Sequence, residues 1–347
     1  MPVQPRKGRH DPQRKYRKVF RLERDNLNTA PFFTPVQTGL QEVETLLHAQ
    51  ADDAHPDLRA AVEHLLTSGG KRIRPAVGLL TGQMLGAPHD KLLTLAAAVE
   101  MLHTATLVHD DLIDGALLRR GMPTLNAHWS PAATILTGDY MFARAAKLAA
   151  ESDNLLLMKL FADTLATIVN GELTQLFAAR GVISRENYSK RIYAKTASLF
   201  EMTTHAAAMV SPAKPAVVET MRLFGYHLGM AFQIVDDILD FTGEQETVGK
   251  PVGSDLLQGL VTLPAIYYAE AHPYDPDVLC LTGGCYTEHE RMERLVQSIR
   301  ESDATAKSMK EAQDFTEKAL EILKKAPASM ERQALEDLTG YIVNRSI

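Results

Sequence analysis

From about Gln37 onward, apolar residues recur at helical spacing and almost never at the two-residue alternation of a strand. Leu40, Val43, Leu46 and Leu47 make one stripe, and Ala61, Val62, Leu65 and Leu66 make another. Breakers fall at helix-sized intervals: Ser68-Gly69-Gly70, Gly86-Ala87-Pro88, Gly121-Met122-Pro123, Ser130-Pro131, Gly181, Ser211-Pro212, Gly249 to Gly253 and Gly283-Gly284. The pattern predicts an all-α fold, a single-domain bundle of many antiparallel helices joined by short loops. Two segments stand outside it. Residues 1–35 read as a flexible arm ahead of a domain spanning 36–347, and residues 272–287, with Pro273, Pro276 and the Gly283-Gly284 pair, read as a surface loop.

The most apolar window, Leu92 to Val108, is interrupted by Glu100 and His103, which argues for a core helix over a membrane span. With 45% hydrophobic and 23% charged residues, the 347-residue chain can bury a large core, so disordered classes are excluded. Two cysteines, Cys280 and Cys285, cannot staple a chain of this length, and the expected setting is a reducing cytoplasm. Charge is distributed unevenly. Residues 1–24 carry +7 while the whole chain carries −6, which leaves −13 on the remainder. An acidic body argues against nucleic acid as its partner, and any anion it binds must be held by local cations or by metal. The basic arm is most simply a mobile tail; a peripheral contact with a membrane surface is the alternative.

Two acidic clusters punctuate this helical pattern. In His109-Asp110-Asp111-Leu112-Ile113-Asp114, Asp110 and Asp114 lie one turn apart on a common face, with Asp111 rotated away by about 100°. The spelling returns at Asp236-Asp237-Ile238-Leu239-Asp240, preceded by Gln233. Carboxylates about 4 Å apart repel by about 4 kcal/mol at an effective dielectric of 20, so such clusters in apolar sequence call for a counter-cation. One copy alone is as readily a solvated helix face; two shift the balance. Oxygen-only donors without Cys or His pairs favour Mg²⁺ shared with substrate phosphates.

Fixed cations accompany the clusters. Gly69-Gly70-Lys71-Arg72-Ile73-Arg74-Pro75 places Lys71 and Arg74 on one side of a helix start, and Arg119-Arg120 follow the first cluster closely enough to reach back over it. His103 sits two turns before Asp110. Lys195-Thr196 and Lys250 are further candidates, each equally an ordinary surface position.

Taken together, GGKRIRP at 69–75, HTATLVHDDLID at 103–114, RRG at 119–121, KTASLFE at 195–201, FQIVDDILDF at 232–241 and GKPVGSDLLQGLVTLP at 249–264 resemble the trans-isoprenyl diphosphate synthases, the polyprenyl synthetase family. The likeness is greatest to members that make long chains, of octaprenyl, solanesyl or heptaprenyl type. It implies helices around a central cavity, a homodimer, and Mg²⁺-dependent condensation of isopentenyl diphosphate with an allylic prenyl diphosphate. By the same resemblance Asp110 and Asp114 hold two Mg²⁺ and Asp236, with Asp240, a third. Lys71, Arg74, His103 and Arg120 hold the diphosphate of isopentenyl diphosphate, and Arg119, Lys195, Thr196, Gln233 and Lys250 serve the allylic diphosphate. Asp110, Asp114, Arg119, Lys195 and Asp236 thereby become the catalytic set.

Ala105 and Thr106, five and four positions before Asp110, are small where bulky residues would close the cavity early, so a product longer than C20 is expected, with Met101 or Leu102 as deeper candidates for the floor. A short-chain C15 or C20 synthase and a non-catalytic subunit of a heteromeric synthase are the alternatives. A terpene cyclase fits less well, because the second cluster is DDILD. The chain departs from the family at Leu260, where a lysine is common, and at Gly115, where a polar residue is usual and where the helix is expected to end.

Overall fold

The structure is a computed structural model that describes residues 30–68, 70–119, 121–243 and 252–344. Helices make up nearly all of it. A 3-10 turn, Pro31–Val36, leads into α1 (Gln37–Ala49), α2 (Pro56–Thr67), α3 (Ile73–Met84) and α4 (His89–Ile113). A two-stranded hairpin, β1 (Leu118–Arg119) and β2 (Met122–Pro123), precedes α5 (Leu125–His128), α6 (Pro131–Ala150), α7 (Leu155–Phe177) and α8 (Arg185–Ile192). After a π-helical turn, Tyr193–Ala197, come α9 (Ser198–Met209) and the long α10 (Pro215–Thr242). The chain ends in α11 (Ser254–Leu257), α12 (Leu263–Ala271), α13 (Pro276–Thr282), α14 (His289–Glu301), α15 (Ala304–Leu323) and α16 (Met330–Asn344).

The breakers read from sequence do local work. Ser130 caps α6 by accepting from the Ala133 amide, with Pro131 at the first helical position. Gly115 adopts φ +61 immediately after α4, and the Ala116 amide reaches back to the Asp111 carbonyl at 2.8 Å while Gly115 bonds Leu112 at 3.2 Å. That is a Schellman stop, as the sequence predicts, and it makes Asp114 the C-cap.

Two expectations change. The packed chain begins before residue 36: Phe32, Phe33 and Val36 are buried, and the Phe32 ring lies 5.4 Å from that of Tyr341 on α16. Within 272–287, α13 is a helix rather than loop, capped by Asp275 and with Val278, Cys280 and Leu281 buried.

Two apolar clusters form the interior. The first collects α1 to α4, α6, α7, α9 and α16; the second collects α8, α12 to α14 and part of α15. Helix α10 joins them, giving Phe224 and Leu228 to the first and Ile234, Val235, Ile238 and Phe241 to the second. Helix α4 is long and apolar enough to cross a membrane, yet it is a core helix here, packed along α6. Its buried Glu100 is answered by Arg72, which donates to it at 2.7 Å and grips both oxygens of Glu44 at 2.9 Å.

Arg72 holds a left-handed conformation, φ 47, which an arginine adopts only at a cost. Burial works against its charge, but Glu100 and Glu44 together hold the guanidinium above the usual arginine range. The ion triad thus fixes the turn that enters α3. Arg72→Met should therefore cost about 3–5 kcal/mol in denaturant unfolding, by stranding Glu100. Glu100→Gln should cost less, because Arg72 keeps Glu44.

Candidate active site

On α4 the first acidic cluster divides by face. Asp111 is buried and takes Arg119 in a bidentate grip, with Nε at 2.8 and 3.0 Å from its two oxygens and Nη2 at 2.8 Å. Arg119 comes from the hairpin, which Gly121 turns at φ +72 and His64 fastens by donating to the Pro123 carbonyl at 2.8 Å. Asp110 and Asp114 are left on the other face, at the C-terminal end of a 25-residue helix whose dipole is negative there. Burial pushes Asp110 up to about 6; Lys195 and Arg119 oppose the rise, and Glu172 and Asp114 add to it. This is a place that favours a cation.

Lys195, with Arg119, is a cation the chain itself supplies here. It rides on the π-helical turn and pairs with Glu172 of α7 at 3.1 Å. Burial pulls its ammonium down, but Glu172 and Asp110 together hold it above the usual lysine range. Two glycines let neighbouring helices close on this turn. A Cβ at Gly171 would stand 2.5 Å from Ala194 Cβ, and one at Gly229 would stand 2.5 Å from Ala197 Cα. Residues expected from sequence at the allylic site meet here in a relay. Thr196 donates to Gln233 (2.5 Å), Gln233 donates to Asp237 (2.7 Å), and Tyr188 donates to the other Asp237 oxygen (2.8 Å). Burial, with the Asp255 charge behind it, raises Asp237 to about 7. The relay runs from the neighbour of Lys195, which faces Asp110, into the second cluster on α10.

That cluster divides in the same way. Asp237 faces inward, Asp236 is half-buried, and Asp240 accepts from the Ser254 amide (3.2 Å), the Ser254 hydroxyl (2.8 Å) and the Asp255 amide (3.3 Å). Asp240, expected as a metal ligand, therefore also caps α11.

A separate cationic cavity lies on the other side of Asp111. Lys71, Arg74, His103 and Arg119 line it together with Asp111 and Phe232. Arg74 donates to His103 Nε2 at 3.1 Å, and its guanidinium carbon lies 4.7 Å from the centre of the Phe200 ring. The structure thus brings Lys71, Arg74 and His103 together on one cavity. It puts Arg119 on the wall between this cavity and the carboxylates. Arg120 and Lys250 lie outside the described residues. Ala105 is fully buried on α4, and half-buried Thr106 donates to the His103 carbonyl at 2.7 Å.

Sequence reasoning missed Glu172, Tyr188 and Arg72. A single glutamate, tyrosine or arginine within a helical pattern carries no distinguishing signal; only the fold places Glu172 beside Lys195. The donor set of Asp110 and Asp114, with Asp236 beyond the relay, suits a hard divalent cation.

Below about pH 6, a cation at Asp110 has to displace a proton. Calorimetry should therefore show Mg²⁺ affinity falling about tenfold per pH unit there. In carboxyl NMR of the metal-free protein, Lys195→Met should raise the Asp110 midpoint and Glu172→Gln should lower it, each removing one of the opposing fields.

Comparison with known proteins places this geometry. The polyprenyl synthetase family profile matches residues 55–300. The chain is 40% identical over 289 residues to the all-trans-nonaprenyl-diphosphate synthase (geranyl-diphosphate specific) of Rhodobacter capsulatus, covering 82% of this chain and 87% of that one. It is 38% identical over 307 residues to heptaprenyl diphosphate synthase component 2 of Geobacillus stearothermophilus, covering 88% of this chain and 95% of that one. The crystal structure of a polyprenyl synthase from Caulobacter crescentus CB15, complexed with calcium and isoprenyl diphosphate, superposes with a TM-score of 0.85 at 34% identity, over 91% of this chain and 98% of that one. With its acidic clusters and cationic cavity so arranged, the chain belongs to the polyprenyl synthetase family and is a trans-prenyltransferase.

Proposed function

We propose that the chain condenses isopentenyl diphosphate with an allylic prenyl diphosphate and repeats the step to give an all-trans product longer than C20. The observation that carries this reading is the division of the site into a cationic cavity and a carboxylate cluster, with Arg119 paired to Asp111 between them. Lys71, Arg74 and His103 hold the diphosphate of isopentenyl diphosphate and orient its alkene. Asp110, Asp114 and Asp236 would hold Mg²⁺, which would neutralise the allylic diphosphate as its C–O bond breaks. Arg119 and Lys195 add fixed positive charge where that anion develops, and Thr196 and Gln233 position it. The apolar surroundings of α4 and α10 keep water from the allylic cation. The alkene attacks, one proton passes to the released diphosphate, and the chain grows by one C5 unit. No protein nucleophile takes part.

Small Ala105 and Thr106 beside the cluster, and relatives named for C35 to C50 products, support the long product. A two-chain assembly is supported by an apolar face on α6 and α7, where Leu136, Leu155, Leu156, Val169, Leu173 and Phe177 are exposed. A second copy of the chain is the simplest occupant. The name component 2 on the Geobacillus relative favours one alternative, a different partner chain.

Incubation of the purified chain with Mg²⁺, labelled isopentenyl diphosphate and farnesyl diphosphate should yield products beyond C20 on chromatography. A dominant C20 product would overturn the length assignment, and turnover only after a partner is added would favour the heteromeric reading. Asp110→Ala should lower turnover by about 10³-fold or more, because it removes charge stabilisation made in the transition state. Thr106→Phe should shorten the longest product by several C5 units while condensation continues.

A further inference from the structure

Outside the active site, among the described residues, Cys280, Cys285 and Glu288 bring two sulfurs and a carboxylate oxygen within 4.8 Å of one another. The arrangement is built by a tight turn after α13. The Cys285 amide bonds the Cys280 carbonyl at 3.0 Å, and Gly284 supplies φ +90, which a residue with a side chain rarely adopts. The Glu288 amide then bonds the Cys285 carbonyl at 3.0 Å, which folds the carboxylate back toward the sulfurs. Neither thiol is in a disulfide; each contacts the other residue's carbonyl, at 3.4 and 3.2 Å, and Cys280 also lies against Arg291.

We propose that Cys280, Cys285 and Glu288 form a binding site for a thiophilic divalent cation of the Zn²⁺ class, with water in the remaining position. The donor set is two sulfurs and one oxygen, which suits tetrahedral Zn²⁺ and is a poor match for Mg²⁺. Charge agrees. Two thiolates and a carboxylate, offset by the Arg291 guanidinium that pairs with Glu288 at 3.0 Å and lies beside Cys280, leave a double negative charge that a divalent cation neutralises. Binding releases the two thiol protons to solvent. Softness therefore keeps this ion apart from the one at the aspartates.

The position gives the site a structural consequence. Tyr286, next to Cys285, packs over Gly259, where a Cβ would come within 2.9 Å of its ring. Gly259 bonds the Leu256 carbonyl at the end of α11, and Asp240 caps the start of that helix. An occupied site would hold in place the turn that supports the back of the second acidic cluster.

The test is a titration of the full, reduced chain with Co²⁺ in excess Mg²⁺. One Co²⁺ per chain should produce sulfur-to-metal charge-transfer absorption, and Zn²⁺ should displace it and raise the unfolding midpoint. Cys285→Ser, at a half-buried position, should abolish both effects, and Glu288→Gln should weaken binding by at least about tenfold. Absence of the band, its persistence in Cys285→Ser, or a Cys280 to Cys285 disulfide found by mass spectrometry under the same reducing conditions would overturn the proposal.

Discussion

The arrangement depends on one cation set between helices, Lys195, held by Glu172 and facing Asp110. Without it, among the described residues, Asp110, Asp114 and the helix dipole at the end of α4 would be opposed mainly by Arg119, which Asp111 already holds. Lys195 gets there because the backbone takes a π-helical turn at Tyr193–Ala197, clamped by helices that approach at Gly171 and Gly229. The extra residue in such a turn re-aims the side chains that follow it. One result is that Lys195 faces α4 and α7 while its neighbour Thr196 faces α10.

From that point the charges sort themselves by helix face. Asp111 and Asp237, the second members of their clusters, turn into the protein and are consumed by Arg119 and by the Tyr188 and Gln233 pair. Asp110 and Asp114 stay on the opposite face of α4, and Asp236 is half-buried on α10. Arg119 is thereby fixed at the boundary with the cavity of Lys71, Arg74 and His103. On the proposed function, this separates two anion sites by how each is neutralised: fixed cations on one side, carboxylates with a metal on the other.

Much of this was legible in the chain. The helical stripes, the stop at Gly115 and the cap at Ser130 are local, and local signals read through. The clusters and the basic turn were legible because they repeat or combine, and the structure brings Lys71, Arg74, His103 and Arg119 around one cavity. What escaped is tertiary. Glu172 is a single acid on a helix, and nothing in its neighbourhood points to a lysine 23 positions later. The left-handed Arg72 and its two glutamates lie 28 residues apart in either direction, and the turn before α3 reads only as basic. Asp240 reads as one more ligand because a cap given to a helix 14 residues away leaves no local trace. Helix α13 hid behind its prolines and glycines, although Asp275-Pro276 is itself a helix-start signal.

The central claim is that the two diphosphates are held by different kinds of charge. Calorimetry of substrate binding with Mg²⁺ present and with Mg²⁺ removed by chelation tests it directly. The account predicts that isopentenyl diphosphate binds without Mg²⁺ and that Arg74→Ala abolishes this binding, whereas a non-reactive thio analogue of the allylic diphosphate binds only when Mg²⁺ is present. Equal dependence of both ligands on Mg²⁺, or equal independence from it, would contradict the account.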